Sequence, residues 1–164
     1  MRGVAAGLIG LALLGGLTAC SPGRNAVAAI GYDEQGRLIG AVRVCDREAV
    51  EATLSAVGKG SEIGRWQRTA PLTEGAETWP IRERPGDRWE RAGAAVPALG
   101  PATEYRFWTT SENGSHTSNG LEFHGRDLMR LAAGELLVER GQDGEDAALE
   151  AITLDELADE YCLP

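Results

Sequence analysis

Lysine occurs once in this sequence, at Lys59, against fifteen arginines, a bias that reads as coding preference rather than chemistry. Histidine is nearly as scarce, with only His116 and His124. A zinc site needs three or four ligands at suitable spacing, so these two would need Cys45 and Cys162 to complete one. Ser115 and Ser118 flank His116, but neighbours in a polar loop are not a catalytic triad, and no Gly-x-Ser-x-Gly elbow is present. There is no Cys-x-x-Cys pair and no glycine-rich phosphate loop. Asp143-Gly144-Glu145-Asp146 is acidic but lacks the ligand spacing of a calcium loop. Carboxylates are abundant, so choosing any two as a glycosidase pair would be arbitrary. These shortages lead to the expectation of a non-catalytic protein with no cofactor and no bound metal. A hydrolase would require His116 or His124 to share a concave pocket with Ser, Asp or Glu.

Positive charge is also in deficit. Sixteen basic residues stand against twenty-five acidic ones, a net charge of −9. Such a surface repels phosphate backbones, so no nucleic-acid partner is expected. It repels anionic lipid headgroups for the same reason. The hydrophobic content of 43% is that of a folded chain and argues against disorder.

Long apolar runs are missing except at the start. Arg2 is followed by an apolar stretch from Val4 to Leu17, and then by Thr18-Ala19-Cys20. A charged start, a greasy core too short to span a bilayer and small residues before a cut form the pattern of a secretory signal peptide. Leu17-Thr18-Ala19-Cys20 resembles a bacterial lipobox. That resemblance implies cleavage before Cys20, lipid on its sulfur and an extracytoplasmic protein held at a membrane. Residues 1–19 would be the leader and 20–25 a lipidated tether, leaving 26–164 as one domain with an acidic C-terminal extension. Loss of Arg2 would make the balance 15 − 25 = −10. The anchor would then act against mild repulsion, with buried acyl chains gaining about 0.8 kcal/mol per methylene.

With Cys20 lipidated, Cys45 and Cys162 remain. An even pair in an exported protein reads as a disulfide, closing a loop of 162 − 45 = 117 residues. The alternative is two buried free thiols.

The body reads as mainly β. Ala26–Tyr32 and Leu38–Cys45 flank Asp33-Glu34-Gln35-Gly36 as an N-terminal hairpin, with Gly36 supplying positive φ. Val50–Val57 fits strict alternation and also one helical face. The Gly58-Lys59-Gly60-Ser61 turn into Ile63–Thr69 favours a strand. Short runs at Thr78–Arg82, Arg88–Ala92, Thr103–Thr110 and Leu121–His124 lie between breaks that include Pro71, Pro80 and Pro85, as expected of a β-sandwich. Ser111–Asn119 is a polar loop, Asp127–Leu131 a short helix or turn, and Leu136–Glu139 one more strand. From Asp143 to Glu160 there are eight acids and no base. Within this segment Thr153 and Glu156 form a capping box. Leu154, Leu157, Ala158 and Tyr161 then make the apolar stripe of a short C-terminal helix that must dock.

Leu99, Pro101, Thr103 and Tyr105 match the approach to strand F of fibronectin type III domains, which the segment resembles. The resemblance implies an immunoglobulin-like antiparallel sandwich. Tyr105 would form a tyrosine corner, its hydroxyl bonded to backbone. Phe107 would point inward, Ser111–Asn119 would be the F–G loop, and Leu121 and Phe123 would start strand G. This says nothing of function, because such sandwiches host many roles.

Four of the nine aromatic residues are tryptophan: Trp66, Trp79, Trp89 and Trp108. Indoles stack on flat sugar faces and also fill cores. Trp108 follows Phe107, so it faces outward if Phe107 faces inward. There it needs a ligand or a covering segment, which the hairpin or the C-terminal helix would supply. The expected function is a lipid-anchored, non-catalytic envelope module that contacts a protein or cell-wall partner. The alternative is a cell-wall glycan-binding module using Trp108 with Trp66, Trp79 or Trp89.

Overall fold

The described residues hold ten strands and two short helices, one strand more than that patterning predicts. The computed structural model describes residues 26–46, 48–58, 60–114, 118, 120–140 and 148–162. The strands are β1 (Ala26–Tyr32), β2 (Leu38–Val44), β3 (Ala49–Ala56), β4 (Ser61–Leu72), β5 (Gly75–Pro80), β6 (Trp89–Ala92), β7 (Glu104–Thr110), β8 (Leu121–His124), β9 (Glu135–Arg140) and β10 (Ala148–Thr153). The helices are α1 (Gly125–Leu128) and α2 (Leu154–Glu160). The strands form two antiparallel five-stranded sheets. Sheet 1 has the order β10-β9-β1-β2-β5, and sheet 2 the order β6-β4-β3-β7-β8. This is a β-sandwich-like architecture.

The main core lies between the sheets. Val42, Leu54, Trp66, Trp79, Phe107 and Leu121 are all buried there. Two glycines make room for the indoles. Gly40 pairs with Trp79 across β2 and β5, and a Cβ on Gly40 would come within 2.8 Å of the Trp79 ring. A Cβ on Gly64 would meet the Trp66 ring. Glycine inside a strand often marks such close approach. Trp79 stacks on Trp89 with ring centroids 4.0 Å apart. Glu77 bridges the two sheets beside them. Its carboxylate lies 3.0 Å from Arg68 Nε and accepts from Trp89 Nε1 at 3.2 Å, joining β5 of one sheet to β4 and β6 of the other.

Sheet 1 is buried on its outer face as well. Val27, Ala29, Ile39, Ala41, Leu136, Val138 and Ile152 form a second apolar cluster there, closed by Leu157 of α2. Burial on both faces explains why residues 26–30 run apolar without alternation. The hairpin therefore occupies the middle of sheet 1. It is not an appendage available to cover Trp108, as the sequence reading allowed.

α2 starts at the expected capping box. Thr153 Oγ1 accepts from Glu156 N, and Glu156 Oε2 accepts from Thr153 N at 2.6 Å. These bonds hold the Glu156 carboxyl below its usual value. The expected stripe is corrected at one position: Leu154 is 40% exposed, while Leu157 is fully buried. Cys45 and Cys162 form the expected disulfide, with Cα atoms 5.0 Å apart. This link fastens the end of α2 to the end of β2.

Two other expectations change. Pro71, read as a break, lies inside β4, near its end. Ala148–Thr153 is a strand that the acidic segment did not announce.

Candidate functional site

The tyrosine corner forms as expected, and it positions one end of the molecule. The Gly100 amide donates to Tyr105 Oη at 2.8 Å, and Tyr105 and Phe107 are buried. Gly125 packs against the Gly100 carbonyl, so α1 sits directly on this corner. His124 precedes α1, and its amide donates to Asp127 Oδ2 at 2.8 Å. His124 is half-buried at the surface, and its Nδ1 lies 3.9 Å from the same carboxylate. Ser118 is buried, with its hydroxyl accepting the Thr109 amide at 2.8 Å. Among the described residues, no three His, Cys, Asp or Glu side chains gather as metal ligands would. Ser115, His116 and Asp143–Asp146 lie outside the described residues, as do Cys20 and the leader. Among the described residues no helix is long and apolar enough to cross a membrane.

The tryptophans divide three to one. Trp66, Trp79 and Trp89 are core residues, at most 2% exposed. They cannot share a surface platform with Trp108. The reason is register: their rings face inward between the sheets, with Gly40 paired to Trp79 and Ala52 paired to Trp66. Trp108 does face outward, on β7 of sheet 2, and is half-buried. It pairs with Thr53 of β3. Arg106, two residues along the same face, places its guanidinium 6.0 Å from the Trp108 ring, and it lies 3.7 Å from Glu122. Nearby on β3 and β4, Gln67 donates to Glu51 at 3.2 Å and Arg65 lies 3.8 Å from Glu51. This face is a polar, ion-paired surface around one indole. α2 lies on the outer face of the other sheet, so it does not cover Trp108, contrary to the expectation.

A larger concavity lies at the tip of sheet 1. The β1–β2 turn, the ends of β5 and β9 and the first turn of α2 enclose a cleft of about 710 Å³. Volumes of about 300–1,000 Å³ are usual for ligand sites. Ile39 and Leu136 supply an apolar floor, and Tyr32, Pro80 and Leu154 extend it. The β1–β2 turn forms one wall. Its shape is fixed by Gly36 at φ 73 and by Asp33, whose Oδ1 accepts the Gln35 and Arg37 amides at 3.0 and 2.8 Å. Arg37 Nε also donates to Asp33 Oδ2 at 2.7 Å. Burial pushes the Asp33 carboxyl up, but the hydrogen bonds from Arg37 and Gln35 outweigh it and hold the group below its usual value. Glu34, Glu135 and Asp155 complete an acidic rim. A smaller cleft of about 320 Å³ adjoins it across Tyr32 and Arg37, edged by Leu128 and by Met129, which is 74% exposed.

This cleft is absent from the sequence reading. Its walls come from four segments far apart in the chain. The one local hint is a hydrophobic residue, Leu154, at the first position after a helix cap.

No protein-family model, no curated protein and no solved structure matches the chain.

Proposed function

We propose that this chain is a lipid-anchored, extracytoplasmic envelope protein. Its body serves as a non-catalytic binding module on an immunoglobulin-like sandwich. The observation that carries the reading is the Cys45–Cys162 bond geometry in a chain that also has Leu17-Thr18-Ala19-Cys20. Disulfides persist in oxidising compartments, so the pairing supports export by a route independent of the leader. The strand arrangement supports the immunoglobulin-like part of the proposal. β1-β2-β5 faces β4-β3-β7-β8, with the tyrosine bond at the start of β7.

Attachment at Cys20 would also orient the body. Cys20 precedes Ala26 by six residues, and β1 runs from Ala26 to Tyr32. A seven-residue strand advances about 20 Å. The cleft beside Tyr32 would then face away from the membrane, and the disulfide would lie at the near pole. Membrane fractionation with metabolic labelling by an alkynyl fatty acid tests the anchor. The native protein should carry label and sediment with membranes, and Cys20→Ser should lose both. Retention of Cys20→Ser on membranes after a high-salt wash would defeat the proposal.

A second reading rests on Trp108 alone among the tryptophans. Its half-exposed ring, flanked by Arg106, is a single sugar-stacking site on the outer face of sheet 2. Titration with cell-wall polysaccharide should quench Trp108 emission, and Trp108→Ala should abolish the change. No change across a broad glycan panel would remove this reading.

A further inference from the structure

We propose that the cleft at the tip of sheet 1 binds an extended basic peptide segment, one that presents Lys or Arg between apolar side chains. Three properties of the cleft define that ligand. The floor is apolar, built from Ile39 and Leu136, and Leu154 continues it at 40% exposure. Such a surface gives an apolar ligand group area to bury. The rim is acidic in excess. Of its carboxylates, Asp33 is engaged by Arg37 and Glu135 accepts the Ala132 amide at 2.7 Å. Glu34 and Asp155 are exposed and have no ion-pair or hydrogen-bond partner among the described residues. Two unneutralised carboxylates beside an apolar floor select a cation carrying apolar groups and reject anions. The third property is a free strand edge. β5 has a single hydrogen-bonded neighbour, β2, and its residues Thr78–Pro80 border the cleft. Pro80 has no N–H, so at the cleft this edge offers the Thr78 amide and the Thr78 and Pro80 carbonyls to an incoming extended segment, which favours a peptide over a small amine.

The inference rests on the binding-module reading for its place in the cell, but its test does not depend on the anchor. The purified full chain is titrated with a fluorescein-labelled octapeptide of alternating leucine and lysine, read by anisotropy. A leucine–glutamate octapeptide and octalysine serve as controls. The leucine–lysine peptide should saturate, and both controls should bind about tenfold more weakly or worse, a difference of about 1.4 kcal/mol. Glu34→Lys with Asp155→Lys should weaken the leucine–lysine peptide about tenfold at low salt and less at high salt. Leu154→Ser should weaken it at both. These three side chains are exposed, so an unchanged thermal transition shows that the variants fold. Equal binding of octalysine, or unchanged affinity in both variants, would overturn the assignment. So would failure to saturate. A Cys20→Ser protein that stayed on membranes would defeat the anchor alone and leave the peptide result standing.

Discussion

Breaking the Cys45–Cys162 bond should release α2 while leaving the sandwich folded. The helix has seven residues, well below the length at which isolated helices persist. Among its described side chains Leu157 is the fully buried one, and such burial contributes about 1.5–3 kcal/mol. The Thr153 cap adds about 1 kcal/mol. Fixing one residue's backbone costs about 1–2 kcal/mol. Those contributions, with the 2.8 Å bond from Tyr161 to Glu150, offset the ordering of only a few residues, fewer than the helix contains. The cross-link holds the rest by pinning Cys162 beside the end of β2. In the Cys45→Ser, Cys162→Ser double variant, amides of residues 154–160 should exchange with deuterium at nearly unprotected rates. Amides of β1, β2 and β7 should stay protected. A dye that reports apolar surface should bind the variant, because Val27, Ala29, Ile39 and Ala41 lose their cover. Hydrogen-exchange mass spectrometry on fragments covering the last fifteen residues resolves this. If residues 154–160 exchange as slowly without the cross-link as with it, the account of what holds α2 is wrong.

Other substitutions report on other parts of the fold. Tyr105→Phe removes the acceptor of the Gly100 amide and should lower stability by about 1–2 kcal/mol in urea unfolding, with the fold retained. Glu77→Ala leaves the buried Arg68 guanidinium and the Trp89 N–H without their partner. It should cost about 3 kcal/mol by the same measurement. Gly40→Ala forces a methyl against the Trp79 and Phe107 rings and should cost about 1–3 kcal/mol, a melting decrease seen by calorimetry. Burial pushes the Tyr161 hydroxyl up to about 12, aided by its 2.8 Å bond to Glu150. The folded state therefore holds this proton more tightly than the unfolded chain, whose tyrosine titrates near 10. Its contribution to stability is complete below pH 10 and is lost as pH rises through about 12. Melts across that window should show a decline that Tyr161→Phe lacks.

How far the sequence discloses this molecule differs from element to element. Ala26–Tyr32 and Leu121–His124 were readable to the residue, because turn formers bracket short β-rich runs. The Thr153–Glu156 box marked the start of α2, since capping is local chemistry. β10 was hidden because only Ile152 on it is fully buried, so no alternation marks an edge strand among acids. The tryptophans misled for a tertiary reason. Whether an indole faces a core or a ligand depends on what stands opposite, and Gly40 opposite Trp79 is set by pairing between distant strands. The cleft was unreadable on the same ground, being bounded by residues 33–37, 78–80, 132–136 and 153–155. The glycines at positions 40 and 64 were the overlooked signal, since a strand interior rarely keeps glycine without a close neighbour.

The position of β1 has a mechanical consequence. It is paired by hydrogen bonds with β2 over seven residues and with β9 over two on its other side. Tension applied to the chain ahead of Ala26 runs along the strand, at right angles to those bonds, and loads them together in shear. They cannot be opened one at a time as in a peeled edge strand. The segment that would carry a tether is thus also the part of the sheet best placed to resist being pulled out.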